Sequence, residues 1–509
     1  MSHLRARPLR SANPPAVEPS TDRAWKIDPP AQAIPIAFTA RITTSGYPSP
    51  SDEHIELNTA PSHWSSNLLF LIIAIGTEAG IANVWKFSYL AGANGGGLFV
   101  ALYFIALIVV AIPALMAEML IGRHGGKSAI GTMNVLVARD GISPFWKVFG
   151  FMATTAVFLI LSYYCVICGW MVKYFVFGLR GGFKGIDAAG AASAYQRMLA
   201  SPADMLFYSG VIVAITAAVV AGGVNKGIER VSGVLTPLRL MILVCLLIYS
   251  IGFADIGAAF RFLFTVDWTR LTPAVVVTAV GQAFFSLGIG VGVMLTMGAY
   301  MKPEYSIPRA VFTVAIAQGL VALVAGLSIF PLVFTYGLAP TQGPGLIFVT
   351  LPVAFGRMPY GQVFGTALFL TLSFAAITAT TVILETVVSV LQDYTRLPRR
   401  LLAYLIAALI WLTGILTVLS FNRWSTVYPL RFIGIASSKT PFELLDYLTS
   451  NIMMPAGGLL VALIAGWALS RETTRKELGL GNGLAFNLWR GLVRYVVPLA
   501  IVVIFLSVR

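Results

Sequence analysis

The chain has 509 residues, 57% of them hydrophobic and only 11% charged, with a formal net charge of +14 and a mean hydropathy of +0.82. A water-soluble chain carries about 25% charged residues and cannot cover this much apolar surface, so a soluble multidomain protein is excluded. Lys and Arg fall between apolar runs rather than on one basic face, which is the pattern of membrane loops and excludes nucleic acid as the expected partner.

Residues 1–62 are polar and rich in Pro, Ser and Arg, with no apolar core of the kind a cleavable signal needs, and they read as a disordered cytoplasmic tail. About 20 apolar residues cross the hydrocarbon core as a helix. By that measure eleven spans follow, at 66–90, 95–121, 147–178, 205–222, 229–252, 272–300, 307–336, 360–394, 399–420, 441–469 and 488–508. The first serves as the insertion signal. Basic residues outside the spans favour the tail and the even-numbered connections by about two to one, which puts the N-terminus in the cytoplasm and the C-terminus outside. The expected location is the inner (plasma) membrane.

Span 1 reads LLFLIIAIGTEAGIANVWKFSYLAG, interrupted by Gly76, Gly80 and the polar pair Thr77–Glu78. Span 3 carries Cys165 and Cys168 in a C-x-x-C; with no flanking Cys or His they read as small packing residues, as does Cys245. Arg239 lies two residues after Pro237 in the first turns of span 5 and is expected to snorkel to the cytoplasmic surface. Span 6 reads VVVTAVGQAFFSLGIGVGVMLTMGAY, with Gly288, Gly290 and Gly292 at its middle. Span 8 holds Glu385, whose partner the sequence does not name. The four histidines (His3, His54, His63 and His124) lie outside the apolar runs. No nucleophile–base pair or metal cluster stands out, so no enzyme is expected.

Glycine in mid-helix costs about 1 kcal/mol relative to Ala, so glycine clusters at bilayer depth need a reason. Close helix packing is one. Spans 1 and 6 are five helices apart, however, so each opens a five-helix unit, and an odd unit repeated is inverted in the membrane. Broken helices at matched places in inverted halves are an established signature of a midplane transport site. An unwound segment offers carbonyls to a cation and amides to an anion, and is tolerated only against protein or a wet cavity. Glu78 beside the first break is an intramembrane carboxylate and a functional candidate. It could ligate sodium, bind a cationic group or exchange a proton; the plain alternative is an ion pair with Lys86.

Several stretches in order resemble the neurotransmitter:sodium symporter family in its bacterial eleven-helix form, over roughly residues 62–508. They are G-T-E-A-G-I-A-N-V-W-K-F and Asn94 followed by GGG, SYYCVICGW from Ser162, GQAFFSLGIGVG from Gly281, and GPGLIFVTLP from Gly343. The resemblance implies an all-α polytopic membrane protein of two inverted five-helix repeats with discontinuous helices 1 and 6, plus an eleventh helix. On this sequence the divisions fall at 1–62 for the tail, 63–260 and 261–470 for the repeats, and 471–509 for the last loop and helix.

It further implies a sodium-coupled symporter of an amino acid or related zwitterion. The substrate carboxylate would meet amides around Gly80, Ile81 and Ala82 and the hydroxyl of Tyr164; Glu78 and Gly288 border the same pocket, and Phe285, Val291 and Ile377 would line its apolar part. Amine carriers in the family have Asp at the position of Gly80, and its absence points to a zwitterion. One sodium site would use Glu78, Asn83, Ser286 and Gln318. A second would use Gly76, Ala79, Ala375 and Thr378; Ala379 stands where a second hydroxyl is usual, which weakens that site. Arg239 or a proton could replace part of it. Lys86 and Asp446 match the outer gate, and Trp64, Tyr300 and Asp393 the inner one, where the usual tail Arg is Pro61. Trp64 could equally be an interfacial anchor. The positions of a family chloride site hold Tyr103, Gln282, Ser286, Gln318 and Ala322, and with no acid or hydroxyl at Ala322 and Glu78 close by, chloride is not expected to be required. A proton-coupled or amine-selective carrier, and a substrate sensor that does not transport, are the competing readings. Oligomeric state is left open.

Overall fold

The computed structural model describes residues 63–84, 86–338, 345–431 and 438–507, with only the backbone of Ile81 and Ala82. The expectations for the tail and for Pro61 lie outside these residues.

Among the described residues, nine helices are long and apolar enough to cross a membrane: Gly97–Gly125, Pro144–Leu179, Pro202–Ala221, Val224–Phe253, Ile307–Thr335, Gly361–Tyr394, Arg399–Ser420, Pro441–Ala468 and Leu484–Ser507. They correspond to spans 2–5 and 7–11. Spans 1 and 6 are in pieces. Span 1 runs as Asn67–Glu78, Ile81–Val84 and Lys86–Ala93, and span 6 as Pro273–Ser286 and Val293–Ala299. Short helices Ala129–Asp140, Ala188–Ala200, Ile256–Phe264 and Arg471–Leu478 occupy connections. Cys165 and Cys168 are free and buried in span 3, and Cys245 is free and exposed.

Local chemistry explains the interruptions. The first piece of span 1 starts at Ser66, whose hydroxyl accepts from the Leu69 amide at 3.1 Å. It ends where Ala79 leaves helical geometry at ψ 47°, and the Gly80 amide bonds to the Glu78 carbonyl at 2.7 Å instead of reaching back a full turn. In span 6, Gly288, Gly290 and Gly292 have φ of +53°, +91° and +77°, a left-handed backbone that side chains disfavour. Gly290 also marks the closest approach of span 6 to span 10. A Cβ there would stand 2.3 Å from the Gly458 nitrogen and 2.4 Å from the Met454 oxygen.

Burial orders the bundle. The central stretch of span 8 is 72% buried and that of span 11 is 22% buried, so span 8 runs through the middle and span 11 faces lipid. Spans 3 and 8 pack along one another against the broken helices.

Gly290→Ala adds both a left-handed-backbone cost and a backbone clash, so it should destabilise the protein by about 3 kcal/mol. Gly281, in the same span, has open space around a new Cβ. Thermal unfolding in detergent should fall by several degrees for Gly290→Ala and stay level or rise for Gly281→Ala; equal effects would show that the crossing does not constrain position 290.

Candidate functional site

A cavity of about 320 Å³ lies between the two breaks, within the size range of small-molecule sites. It touches Thr77, Glu78 and Gly80 of span 1, Tyr164 of span 3, and Phe285, Gly288 and Val291 of span 6. The rest of its wall is largely aliphatic and aromatic, from residues such as Val157, Ile160 and Phe442. Six expected substrate-contact residues are therefore brought together. Ile377 is not: on span 8 the cavity is faced by Ala379 and Ile383, four residues apart on one helical face. Ile377 lies two positions before Ala379, about 200° of rotation, which carries it off the cavity side.

Tyr164 and Glu78 bridge the breaks. A Cβ on Gly80 would be 3.5 Å from the Tyr164 hydroxyl, and one on Gly288 would be 3.3 Å from Glu78 Oε2. The Glu78 carboxylate thus reaches from the first break onto the second. Among the described residues no ion pair joins it to Lys86, so the plain structural reading of Glu78 does not hold in this conformation.

Beside the cavity Asn83, Ser286 and Gln318 form one polar cluster. Asn83 Nδ2 donates to the Glu78 carbonyl at 2.7 Å. Gln318 Nε2 donates to Asn83 Oδ1 at 2.9 Å and to the Ser286 carbonyl at 3.0 Å. Gln318 Oε1 is buried without a hydrogen-bond partner. Turning this amide would direct Oε1 at the same two oxygens, with the Glu78 carbonyl adjacent, an all-oxygen set of the kind a hard cation takes. A second oxygen group surrounds Thr378, whose Oγ1 is 3.0 Å from the Gly76 carbonyl and 3.1 Å from that of Ala375. Tyr103 Oη meets Ser286 Oγ at 3.4 Å, while both ends of the Gln282 amide are buried without partners. Ala322 is buried nearby on the helix of Gln318.

Sequence reasoning passed over Glu118 on span 2. It is 0% exposed and accepts from the amides of Gly290 at 2.7 Å and Gly292 at 3.0 Å. Those amides are released by the second break, and a carboxylate satisfies both through charge-assisted bonds. The rule that singled out Glu78, an acid within an apolar run, applies equally to Glu118.

Residues on either side of the cavity differ from expectation in detail. Lys86 Nζ sits 3.6 Å from the centroid of the Phe285 ring, a cation–π contact. Lys86 and Asp446 face the same cavity, but Asp446 bonds Ser450 at 2.8 Å and makes no ion pair with Lys86. Trp64 is 1% exposed, donates from Nε1 to the Met297 carbonyl at 3.0 Å and meets the Tyr300 ring edge-on at 5.8 Å. It is buried within the protein rather than placed as an interfacial anchor. Tyr300 donates to Glu385 at 2.8 Å, and Arg399 supplies the ion-pair partner that the sequence left unnamed. Asp393 stands apart from this cluster, accepting from the Ser128 amide at 3.1 Å.

Arg239 overturns the snorkelling expectation. Span 5 begins at Val224, which puts Arg239 about 22 Å along the helix, too deep to reach the surface. Its side chain is buried, with Nη2 donating to the Ile75 carbonyl at 3.2 Å.

Over most of its length the chain is similar to known proteins. The sodium:neurotransmitter symporter family matches residues 61–183 and 203–454. An uncharacterised sodium-dependent transporter, YhdH, of Bacillus subtilis (strain 168) is 34% identical over 450 residues, covering 88% of this chain and 97% of its own. Another from Haemophilus influenzae is 32% identical over 452 residues, covering 87% and 97%. The crystal structure of MhsT in complex with L-phenylalanine superposes with a TM-score of 0.81 at 34% identity, covering 88% of this chain and 100% of that one.

Glu118→Gln keeps the shape but turns one acceptor into a donor facing an amide, which should destabilise the fold by about 2 kcal/mol. Thermal unfolding of the purified variant checks this. An unchanged melting temperature would mean that the carboxylate does not hold the second break.

Proposed function

The chain belongs to the sodium:neurotransmitter symporter family, and from that premise we propose that its cargo is an amino acid with an apolar side chain. It is a sodium-coupled symporter of a small substrate and a multi-pass membrane protein, not an enzyme, built as two inverted five-helix repeats with broken first and sixth helices. The substrate reading rests on one observation above others: a single cavity touches both helix breaks, with polar groups at the breaks and apolar walls beyond.

In this reading the substrate carboxylate takes the amides at Gly80, Ile81 and Ala82 and the Tyr164 hydroxyl. Its ammonium turns toward Glu78 and Gly288, and its side chain lies against Phe285, Val291 and Ile383. The solved relative holds L-phenylalanine, which suits the same division of polar and apolar surface. Sodium binds at Asn83, Ser286, Gln318 and the Glu78 carbonyl as the Gln318 amide turns. Because Gln318 lies on span 7, Asn83 on span 1 and Ser286 on span 6, one ion draws both breaks onto the scaffold. Lys86 and Asp446 close the outer side; Trp64 and Tyr300, with Asp393 further out, close the inner. The repeats divide at 63–260 and 261–470, with 471–509 as the last loop and helix, and the 1–62 tail is cytoplasmic, following the bias of basic residues. Chloride is not required, since Glu78 supplies negative charge beside the cation and Ala322 offers no ligand.

A second reading, an amine-selective or proton-coupled carrier, draws on Glu78 and on Ala379, which weakens the second sodium site. Uptake into proteoliposomes separates the two. An inward sodium gradient should drive accumulation of L-phenylalanine or another apolar amino acid, and replacing chloride by gluconate should leave the rate unchanged. Accumulation driven by protons without sodium, or of amines in place of amino acids, would reject the proposal. Glu78→Ala should raise the substrate concentration for half-maximal uptake by about tenfold, the loss of about 1.4 kcal/mol of ammonium recognition.

A further inference from the structure

We propose that Arg239 is a built-in cation at the carbonyl end of the first broken helix, so that the carrier couples to one sodium ion per substrate. The inference rests on sodium symport and adds its stoichiometry.

The helix Asn67–Glu78 ends at bilayer depth. The carbonyls at this end, of which that of Ile75 also takes the Ala79 amide at 2.9 Å, form the negative end of the helix dipole, a place that attracts a cation. In this chain a cation already sits there. Arg239 Nη2 donates to the Ile75 carbonyl at 3.2 Å, within the last turn of that helix. The residue is 2% exposed, and its Nε and Nη1 are buried without hydrogen-bond partners. Among the described residues no carboxylate forms an ion pair with it. A guanidinium this deep is costly unless something opposite in sign holds it. The helix end supplies that sign.

The oxygens left nearby make a poor site for a second ion. Thr378 Oγ1 lies among the carbonyls of Gly76, Phe374 and Ala375 at 3.0–3.1 Å, but the next residue, Ala379, presents a methyl group. Hard cations take about six oxygens, and a fixed guanidinium one carbonyl away repels any that enters. Formal charge leads to the same count. Glu78 and Glu118 are both buried beside the breaks, against Arg239 alone; Lys86 and Asp446 offset each other. One sodium ion at the Asn83–Gln318 cluster neutralises the remainder, and a second would leave an excess positive charge in low dielectric.

Equilibrium binding of 22Na+ to the purified full-length protein tests this directly. Wild type should bind one ion, with a Hill coefficient for sodium of about one. Arg239→Ala combined with Ala379→Ser removes the guanidinium and adds a hydroxyl, and should bind two ions. Arg239→Lys keeps a fixed charge and should bind one. Two ions in wild type, or one in the double variant, would overturn the proposal while leaving symport intact. Binding of no sodium would remove the symport premise and the proposal together. The wild-type count decides whether or not the variants fold.

Discussion

The structure depends on how two helices can be open in the middle of a membrane. Lipid offers no hydrogen bonds, so each main-chain group released by a break needs a partner from protein or from a wet cavity. Glu118 provides this at the second break, one carboxylate taking two amides. Asn83 provides it at the first, its amide bonded to the Glu78 carbonyl. With those groups held, the remaining dipoles can face a common cavity without collapsing the fold. The glycines serve the same end. Gly290 lets the backbone turn left-handed and lets span 10 come close enough to wall off that side.

A cavity at mid-bilayer is a carrier site only if it is not open to both faces at once. On the side of Trp64, side chains of several elements pack together. Trp64 is tied to the carbonyl of Met297, the Ser65 amide bonds Glu229 at 2.7 Å, and Tyr300, Glu385 and Arg399 form a polar chain beneath. These contacts join span 1 to spans 5, 6, 8 and 9. They must part together for the cavity to open that way, which suits a rocking of packed helices better than the movement of one loop. On the other side Lys86 lies over Phe285 without an ion pair. That contact is broken without separating two opposite charges in low dielectric, unlike the Glu385–Arg399 ion pair on the Trp64 side.

The breaks were legible in the sequence because glycine clusters and polar pairs have no place in an ordinary apolar helix. Asn83, Ser286 and Gln318 were legible through the family likeness, and the structure brings them into one cluster. Face and partner were harder to read. Glu118 lay in plain view as an acid in an apolar run, but nothing in its own span announces the amides it serves. Ile377 was carried over by the family likeness, and residue type alone does not disclose that Ala379 and Ile383 face the cavity instead. Arg239 was read as snorkelling because its depth depends on where span 5 starts, and a start at Val224 instead of 229 carries it about 8 Å further from the surface. Which cation meets Glu385 is a matter of tertiary packing that no local pattern encodes.

Coupling follows from the same geometry. The Gln318 amide meets the oxygens of Asn83 and Ser286 with its own N–H donors, leaving Oε1 buried and unpartnered. An unpaired buried acceptor is costly, so this arrangement is a strained substitute for a cation. At the proposed site, sodium would relieve it by taking the place of those donors and letting the amide oxygen point inward. The ion would then be bound by the two breaks and the scaffold together, and the Glu78 carbonyl proposed to help hold it belongs to the residue whose carboxylate borders the cavity. On that proposal ion and substrate would stabilise the same closed arrangement of the same few residues, and each would raise the affinity for the other by the reciprocity of linked binding.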